Sequence, residues 1–437
     1  MMRSARTVGG MDVTLRIATS DDDLLEAARV DLGSFGLPFA RGRGARAALR
    51  RSLGWRRTTT TYLAERDGAA VGTARTYDME LTTPGGAPVP VLGIGDVGVL
   101  PGHRGTGVFR SLIEEILAAV HESGRVAAVL HAAESTIYGR FGFGPATRGR
   151  RVTLPAHRSN LRADVVVASG HQELLEPQDW MEVLPEVYRR GIGRRGGELS
   201  RSTEIWDKVL CSPGGDDGLL AGGVLEEPGE SGLLALVHRG PGGEPAAYAL
   251  YRIAESWQPE GPLHTMSVQE VVASDTASEL AVWRALLSMD LVSAVETWLP
   301  VDAPLLAALE DRWAPSVSGE HDKLWVRLAD PLRALASRHY RAQGDCVLEI
   351  LGAAGEGQPL TLGLSVAAGG GHASVERSDR PAEITLGVAE LAEVWLGGGS
   401  MQQLAALGRV VEQFPGAAGR LDALFGWSPL PWVTHDF

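Results

Sequence analysis

Residues 95–144 constrain the fold of this chain more than any other stretch. They read as an apolar strand (Gly95-Asp96-Val97-Gly98-Val99-Leu100), a glycine-rich basic turn over 101–107 and an amphipathic helix beginning near Val108. A second strand over 126–131, a loop carrying Glu134 and Tyr138, and the run Phe141-Gly142-Phe143-Gly144 follow. A strand that feeds a glycine turn and then a helix is an anion-binding device. The first N–H groups of the helix lack intrahelical partners, and glycines let a phosphate approach them closely. Arg104, just before the helix, stands where it adds positive charge. The order is not that of a P-loop, which needs Gly-Lys-Ser/Thr after four spacer residues. Nor is it a dinucleotide fingerprint, which needs Gly-x-Gly-x-x-Gly with an acid about 20 residues on.

The order Arg104-Gly105-Thr106-Gly107 after a Val-x-Val strand resembles the pyrophosphate loop of the GNAT acetyltransferases, with Phe109 where a small residue is usual. The run His131-Ala132-Ala133-Glu134-Ser135-Thr136-Ile137-Tyr138-Gly139-Arg140-Phe141-Gly142-Phe143-Gly144-Pro145-Ala146 resembles the signature of the Eis family of bacterial multidomain acetyltransferases. The resemblance extends to the last residue. It implies an α+β chain of mixed sheets: tandem GNAT domains followed by a sterol-carrier-like domain. The expected divisions are a flexible leader (1–11), a catalytic GNAT domain (12–155), a degenerate GNAT domain without the glycine loop (156–322) and a sterol-carrier-like domain (323–437). It also implies acetyl-CoA as co-substrate, no metal, and a homohexamer built as a trimer of dimers.

At 437 residues, several cores are expected. Acids outnumber Lys plus Arg by 54 to 41, which argues against a general nucleic-acid surface and suits cationic substrates, although such a balance also serves solubility alone. Cys211 and Cys346 are far apart and form neither a disulfide framework nor a zinc spacing. No stretch approaches the ~18–20 apolar residues of a membrane span. No apolar signal-peptide core follows Met1, and Met11 is an alternative start, so a cytoplasmic protein is expected.

Along the chain, the patterns predict a strand over 13–17, a helix from Ser20-Asp21-Asp22-Asp23 to Val30, a basic helix over 45–55 and a hairpin about Asp67-Gly68. Strands over 79–81 and 89–92 continue the sheet, and residues 152–154 close the first domain. In the second, a helix over 177–190, strands about Pro241-Gly242-Gly243, a strand over 263–273 and a helix over 276–289 are expected, then a connection over 311–323. The third begins with a helix after Asp330-Pro331-Leu332. Strands over 346–350, 360–366, 372–377 and 383–386 and helices over 388–396 and 401–407 complete it.

Acetyl transfer to an amine needs a proton acceptor for the ammonium and a donor for the departing thiolate. Residue chemistry alone leaves Tyr138 equally a proton donor or a packing partner of Phe141 and Phe143. It nominates His131, then Glu134, as acceptor. The resemblance implies Tyr138 as general acid and the terminal carboxylate of Phe437 as base, the tail threading back to the first domain. An α-carboxyl of pKa near ~3.5 suits that task best by orienting the amine and taking its proton, through water if needed. The resemblance implies that Val97, Gly98, Val99, Gly105, Thr106, Gly107, Val108, Phe109, Arg110, Ala133 and Glu134 hold the coenzyme. Asp436, Asp31, Phe35 and Trp55 are expected to line the acceptor pocket. The implied acceptors are aminoglycosides, polyamines or lysine side chains, with no nucleic acid and no membrane as partner. The alternative is a lipid- or partner-binding protein whose GNAT units are inactive.

Overall fold

Hairpins and a helical crossover build the first sheet. It is described here from a computed structural model that covers residues 6–8, 11–37, 53–54, 56–211, 231–259, 261–353 and 358–437. Its strands are β1 (Arg6–Val8), β2 (Met11–Ile17), β3 (Thr60–Arg66), β4 (Ala69–Thr82), β5 (Pro88–Val99), β6 (Ala127–His131) and β7 (Gly144–Pro145). Helix α1 (Asp21–Ser34) starts in a capping box, Ser20 accepting from the Asp23 N–H while Asp23 reaches back to the Ser20 N–H. It runs four residues past the Val30 boundary read from the sequence. The β3–β4 hairpin turns through Asp67 (φ 49°) and Gly68 (φ 76°), the two positive φ values that a tight two-residue hairpin requires. The separate strands expected over 89–92 and 95–100 are one strand, β5. The expected basic helix over 45–55 lies mostly outside the described residues. Within the leader expected to be flexible, Arg6–Val8 forms β1 and pairs antiparallel with β2.

Helix α2 (Val108–Glu122) carries β5 over to β6, as a parallel pair demands, and buries Val108, Leu112, Ile116 and Val120 at four-residue spacing. Parallel pairing runs from Val91↔Ala127 to Ile94↔Leu130 and then stops. β5 continues along β4 as far as Val99. The two strands part at Gly95, leaving a gap in the middle of the sheet.

Pairing crosses the boundaries expected near residues 155 and 322. Strand Arg148–Pro155 belongs to the second sheet, between Val292–Pro300 and Ser316–Asp322. Ser316–Asp322 is itself a strand where a connection was expected. Conversely, Leu324–Leu328 inserts between β6 and β7 of the first sheet, burying Leu324, Val326 and Leu328 completely. The two units therefore exchange a strand each, and neither sheet is complete without the other's segment. The second unit also contributes α4 (Trp180–Gly191), packed on its own sheet, and α5 (Thr203–Cys211), whose Lys208 reaches Tyr77 of the first sheet. In the third unit, helices Val388–Trp395, Met401–Ala406 and Ala417–Phe425 accompany a six-stranded sheet of described residues. From Gly426 onward the chain runs without regular structure back to β5. Among the described residues no helix is long and apolar enough to cross a membrane.

Candidate active site

The site is built where β5 and β6 part, and the two faces of the sheet contribute different chemistry. On the α2 face, Tyr138 ends the short helix α3 (Ser135–Tyr138), a helical turn in what the sequence suggested was loop. Its ring packs 5.7 Å from Phe109 and 5.9 Å from Phe143, in the same apolar cluster as Ile94 and Leu130. Burial, with a smaller contribution from Glu134, pushes the Tyr138 phenol up to about 12. The group is a protonated donor throughout the neutral range.

On the opposite face lies the end of the chain. The Phe437 ring stands edge-on to Tyr77 at 5.6 Å and to His131 at 5.0 Å. It is there because β5 has glycine at two alternate positions: a Cβ on Gly93 would lie 2.7 Å from Phe437 Cε2, and one on Gly95 would lie 3.0 Å from Phe437 O. Two missing side chains make the seat of the terminal residue, and its carboxylate rests at the point where the strands separate. Tyr138 and Phe437 thus flank the gap from opposite faces.

The penultimate residue is held by the same wall. Asp436 lies 2.8 Å from His131 Nδ1 and 3.4 Å from Lys323 Nζ. Its carboxylate faces two basic groups of this chain, and these contacts anchor the tail. His131, the last residue of β6, presents a buried Nε2 without a hydrogen-bond partner.

Behind Gly95 sits a group of charges that sequence reasoning did not assemble. β5 carries an extra residue at Asp96 (φ 50°), opposite the Thr73–Arg75 segment of β4. This turns the Asp96 carboxylate onto Arg75, with Arg56 3.9 Å away. The neighbouring guanidinium groups and Lys208 hold Asp96 below the usual carboxylate range despite burial. Asp31, on α1, is buried beside this pair with Oδ1 unpartnered; burial and the Asp96 charge push it up to about 7. Asp31 and Phe35 do not line the cleft described next, and Phe35 is exposed at the end of α1. Trp55 lies outside the described residues.

A cleft of about 110 Å³ opens beside Tyr77, between the first sheet and α5. Thr58, Thr59, Ser202, Ile205 and Lys208 line it, with Asp78 and Glu204. The Lys208 ammonium approaches the Tyr77 hydroxyl at 3.3 Å, and the Tyr77 ring contacts Phe437, so Tyr77 touches both the cleft and the chain terminus.

The residues expected to hold a coenzyme are together. Val97 to Val99 lie on the part of β5 beyond its pairing with β6. Gly107 (φ 91°) is the N-cap of α2, no side chain caps the first turn, and Arg110 is exposed on that turn. Gly105 also has positive φ, 73°. An uncapped, glycine-led helix start with an exposed arginine suits a pyrophosphate. Ala133 and Glu134 are exposed at the end of β6. Arg104 also braces the turn: its guanidinium donates to the Ser34 carbonyl at 2.5 Å and ties it to α1. Arg66 likewise donates to Thr106 O at 2.9 Å and braces the turn from β3.

A sheet opened between two parallel strands, with a glycine turn and uncapped helix beside the gap, defines an acetyltransferase of the GNAT type. Family profiles agree: "Acetyltransferase (GNAT) domain" matches residues 17–146 and again, by a second profile, 197–333, and "Sterol carrier protein domain" matches 331–434. An uncharacterized N-acetyltransferase of Streptomyces avermitilis is 36% identical over 381 residues, 85% of this chain and 87% of that protein. N-acetyltransferase Eis of Mycobacterium tuberculosis is 30% identical over 397 residues, 87% of this chain and 90% of that protein. The crystal structure of Eis1 from Mycobacterium abscessus superposes with a TM-score of 0.78 at 27% identity, covering 97% of this chain and 100% of that one. The chain belongs to the Eis family of N-acetyltransferases.

Proposed function

We propose that the chain transfers acetyl from acetyl-CoA to primary amines of polycationic acceptors, the class that includes polyamines, aminoglycosides and lysine side chains. The observation that carries this reading is the terminal carboxylate seated over Gly95, on the opposite face of the gap from the Tyr138 phenol. The pantetheine arm runs along the free edge of Val97 to Val99, and its pyrophosphate is held by Gly105, Thr106, Gly107, Val108, Phe109 and Arg110. This puts the thioester in the gap.

The acceptor amine enters from the cleft by Tyr77. Free alkylammonium groups have pKa near ~10.4, so few are nucleophilic at neutral pH. The Phe437 carboxylate orients the amine and takes its proton as the nitrogen attacks the thioester carbon. Collapse of the tetrahedral adduct breaks the carbon–sulfur bond toward the α2 face. There Tyr138 O–H gives its proton to the sulfur. Donation from a phenol raised to about 12 runs concerted with bond breaking, because a thiolate of pKa about 8.5 is the weaker base. Glu204 at the cleft, on a chain of net charge −13, favours acceptors with further cationic groups.

The test is a panel of diamines, polyamines, aminoglycosides and lysine peptides incubated with acetyl-CoA, with products counted by mass. Acetylated polycations turning over faster than simple monoamines support the reading. Preference for neutral or anionic amines would contradict it.

A further inference from the structure

The route taken by the tail to Gly95 involves the second unit at every alternate residue. Leu430 O accepts from Arg195 Nη1 at 2.8 Å, and Leu430 N donates to Asp302 at 2.8 Å. Trp432 N donates to the Gly196 carbonyl at 2.8 Å. Gly197 (φ 96°) lets the chain pass beneath, since a Cβ there would lie 2.7 Å from Trp432 O. Thr434 is held twice by one side chain: its N–H donates to Glu198 Oε2 at 3.1 Å and its hydroxyl pairs with Glu198 Oε1 at 2.6 Å. His435 Nδ1 then lies 3.2 Å from the Tyr188 hydroxyl. Residues 430, 432 and 434 are thus pinned in succession along 195–198, between α4 and α5.

Glu198 stands out in this series. It is buried, with Arg201, Glu270 and Tyr188 around it, and the Arg201 guanidinium is committed to Glu270 and to the Tyr188 ring. A carboxyl removed from water is costly unless its oxygens are satisfied, and both oxygens of Glu198 are spent on a single tail residue. Thr434 is three positions before the terminal carboxylate.

We propose that Glu198 is a positioning residue for acetyl transfer, clamping Thr434 so that the Phe437 carboxylate stays over Gly95. The inference rests on the proposed role of that carboxylate. It gives the second GNAT unit a part in the chemistry of the first.

The experiment compares Glu198→Ala, Glu198→Gln and Thr434→Val with the wild-type protein. Three quantities are read: kcat, the Kd of acetyl-CoA, and the rate at which a carboxypeptidase releases Phe437, followed by mass. Glu198→Ala loses both contacts. Its kcat is expected to fall about ten-fold or more, with Kd for acetyl-CoA unchanged and Phe437 released faster. Glu198→Gln, which keeps a carbonyl for the Thr434 N–H and an amide donor for the hydroxyl, recovers most of kcat and of the protection. Thr434→Val, losing only the hydroxyl contact, falls between; it carries the test if Glu198→Ala does not fold.

Wild-type kcat and wild-type protection in a folded Glu198→Ala, or in Thr434→Val should the alanine variant not fold, overturns the proposal. So does a loss of kcat with Phe437 as protected as in the wild type. Faster release without any change in kcat refutes positioning while leaving the clamp, and locates the error in the role given to the carboxylate.

Discussion

Adding one methyl group to β5, at Gly93, displaces the chain terminus without altering any residue of the tail. An alanine Cβ at Gly93 would sit 2.7 Å from Phe437 Cε2 and 3.2 Å from Met79 Sδ. Carbon contacts settle at about 3.5–4.0 Å, so the ring must retreat by about 1 Å. It has little room to do so, because Tyr77 and His131 stand edge-on to it at 5.6 and 5.0 Å. A misplacement of about 1 Å at a reacting group can cost about 100-fold in rate. Gly93 does not have a positive φ, so alanine meets no backbone strain there. The assay is steady-state turnover with saturating acetyl-CoA and a polyamine, alongside the Kd of acetyl-CoA by calorimetry. Gly93→Ala is expected to lose about 10- to 100-fold in kcat with coenzyme affinity within about two-fold of wild type. Wild-type kcat in a folded Gly93→Ala would refute the argument that the ring's seat fixes the working carboxylate.

Further outcomes concern the two faces of the gap and the buried charges. Tyr138→Phe, which keeps the packing against Phe109 and Phe143, is expected to lower kcat by about 10²–10⁴-fold while leaving acetyl-CoA binding intact. Since the phenol is pushed up to about 12, the wild-type rate should show no alkaline fall from its ionisation below about pH 11. Arg110→Ala is expected to raise the KM for acetyl-CoA several-fold and leave kcat nearly unchanged, measured by varying the coenzyme.

Asp31 is raised from 3.8 to about 7, so the folded state binds its proton more tightly than the unfolded chain. The stability this proton supplies is full below about pH 4 and is lost as pH rises through about 7. Asp31→Asn should remove that slope and stabilise the protein at pH 8 by about 2–4 kcal/mol, read from denaturant unfolding as a function of pH. A variant less stable than wild type at pH 8 would mean that Arg56 and Arg75 more than offset the burial cost.

The catalytic half of the fold was legible because its signals are local. Asp67-Gly68 specifies its own turn, Ser20 with Asp23 its own cap, and the glycine turn before Val108 its own anion site. The strand exchange was not legible. Leu324 to Leu328 reads as an apolar run, and nothing within it names a partner such as β6, almost two hundred residues earlier. Nearness of His131, Asp436 and Phe437 is likewise a product of tertiary folding, and only resemblance to a family pointed to the tail's return. The Asp31–Asp96–Arg75 group was hidden by the extra residue at Asp96, which alters the side-chain alternation along β5. Glu198 carried no signal at all, since a single acid in a basic, glycine-rich stretch has many possible partners.

The central claim is that the carboxylate at the end of this particular chain performs the proton transfer. A protein with one glycine added after Phe437 keeps the aromatic ring and the tail contacts to Asp302, Gly196 and Glu198, but moves the charge by one residue, or about 3.5 Å. Single-turnover acetylation at saturating acetyl-CoA is predicted to slow by at least about 100-fold with coenzyme affinity unchanged. Turnover at the wild-type rate by the extended chain would contradict the account.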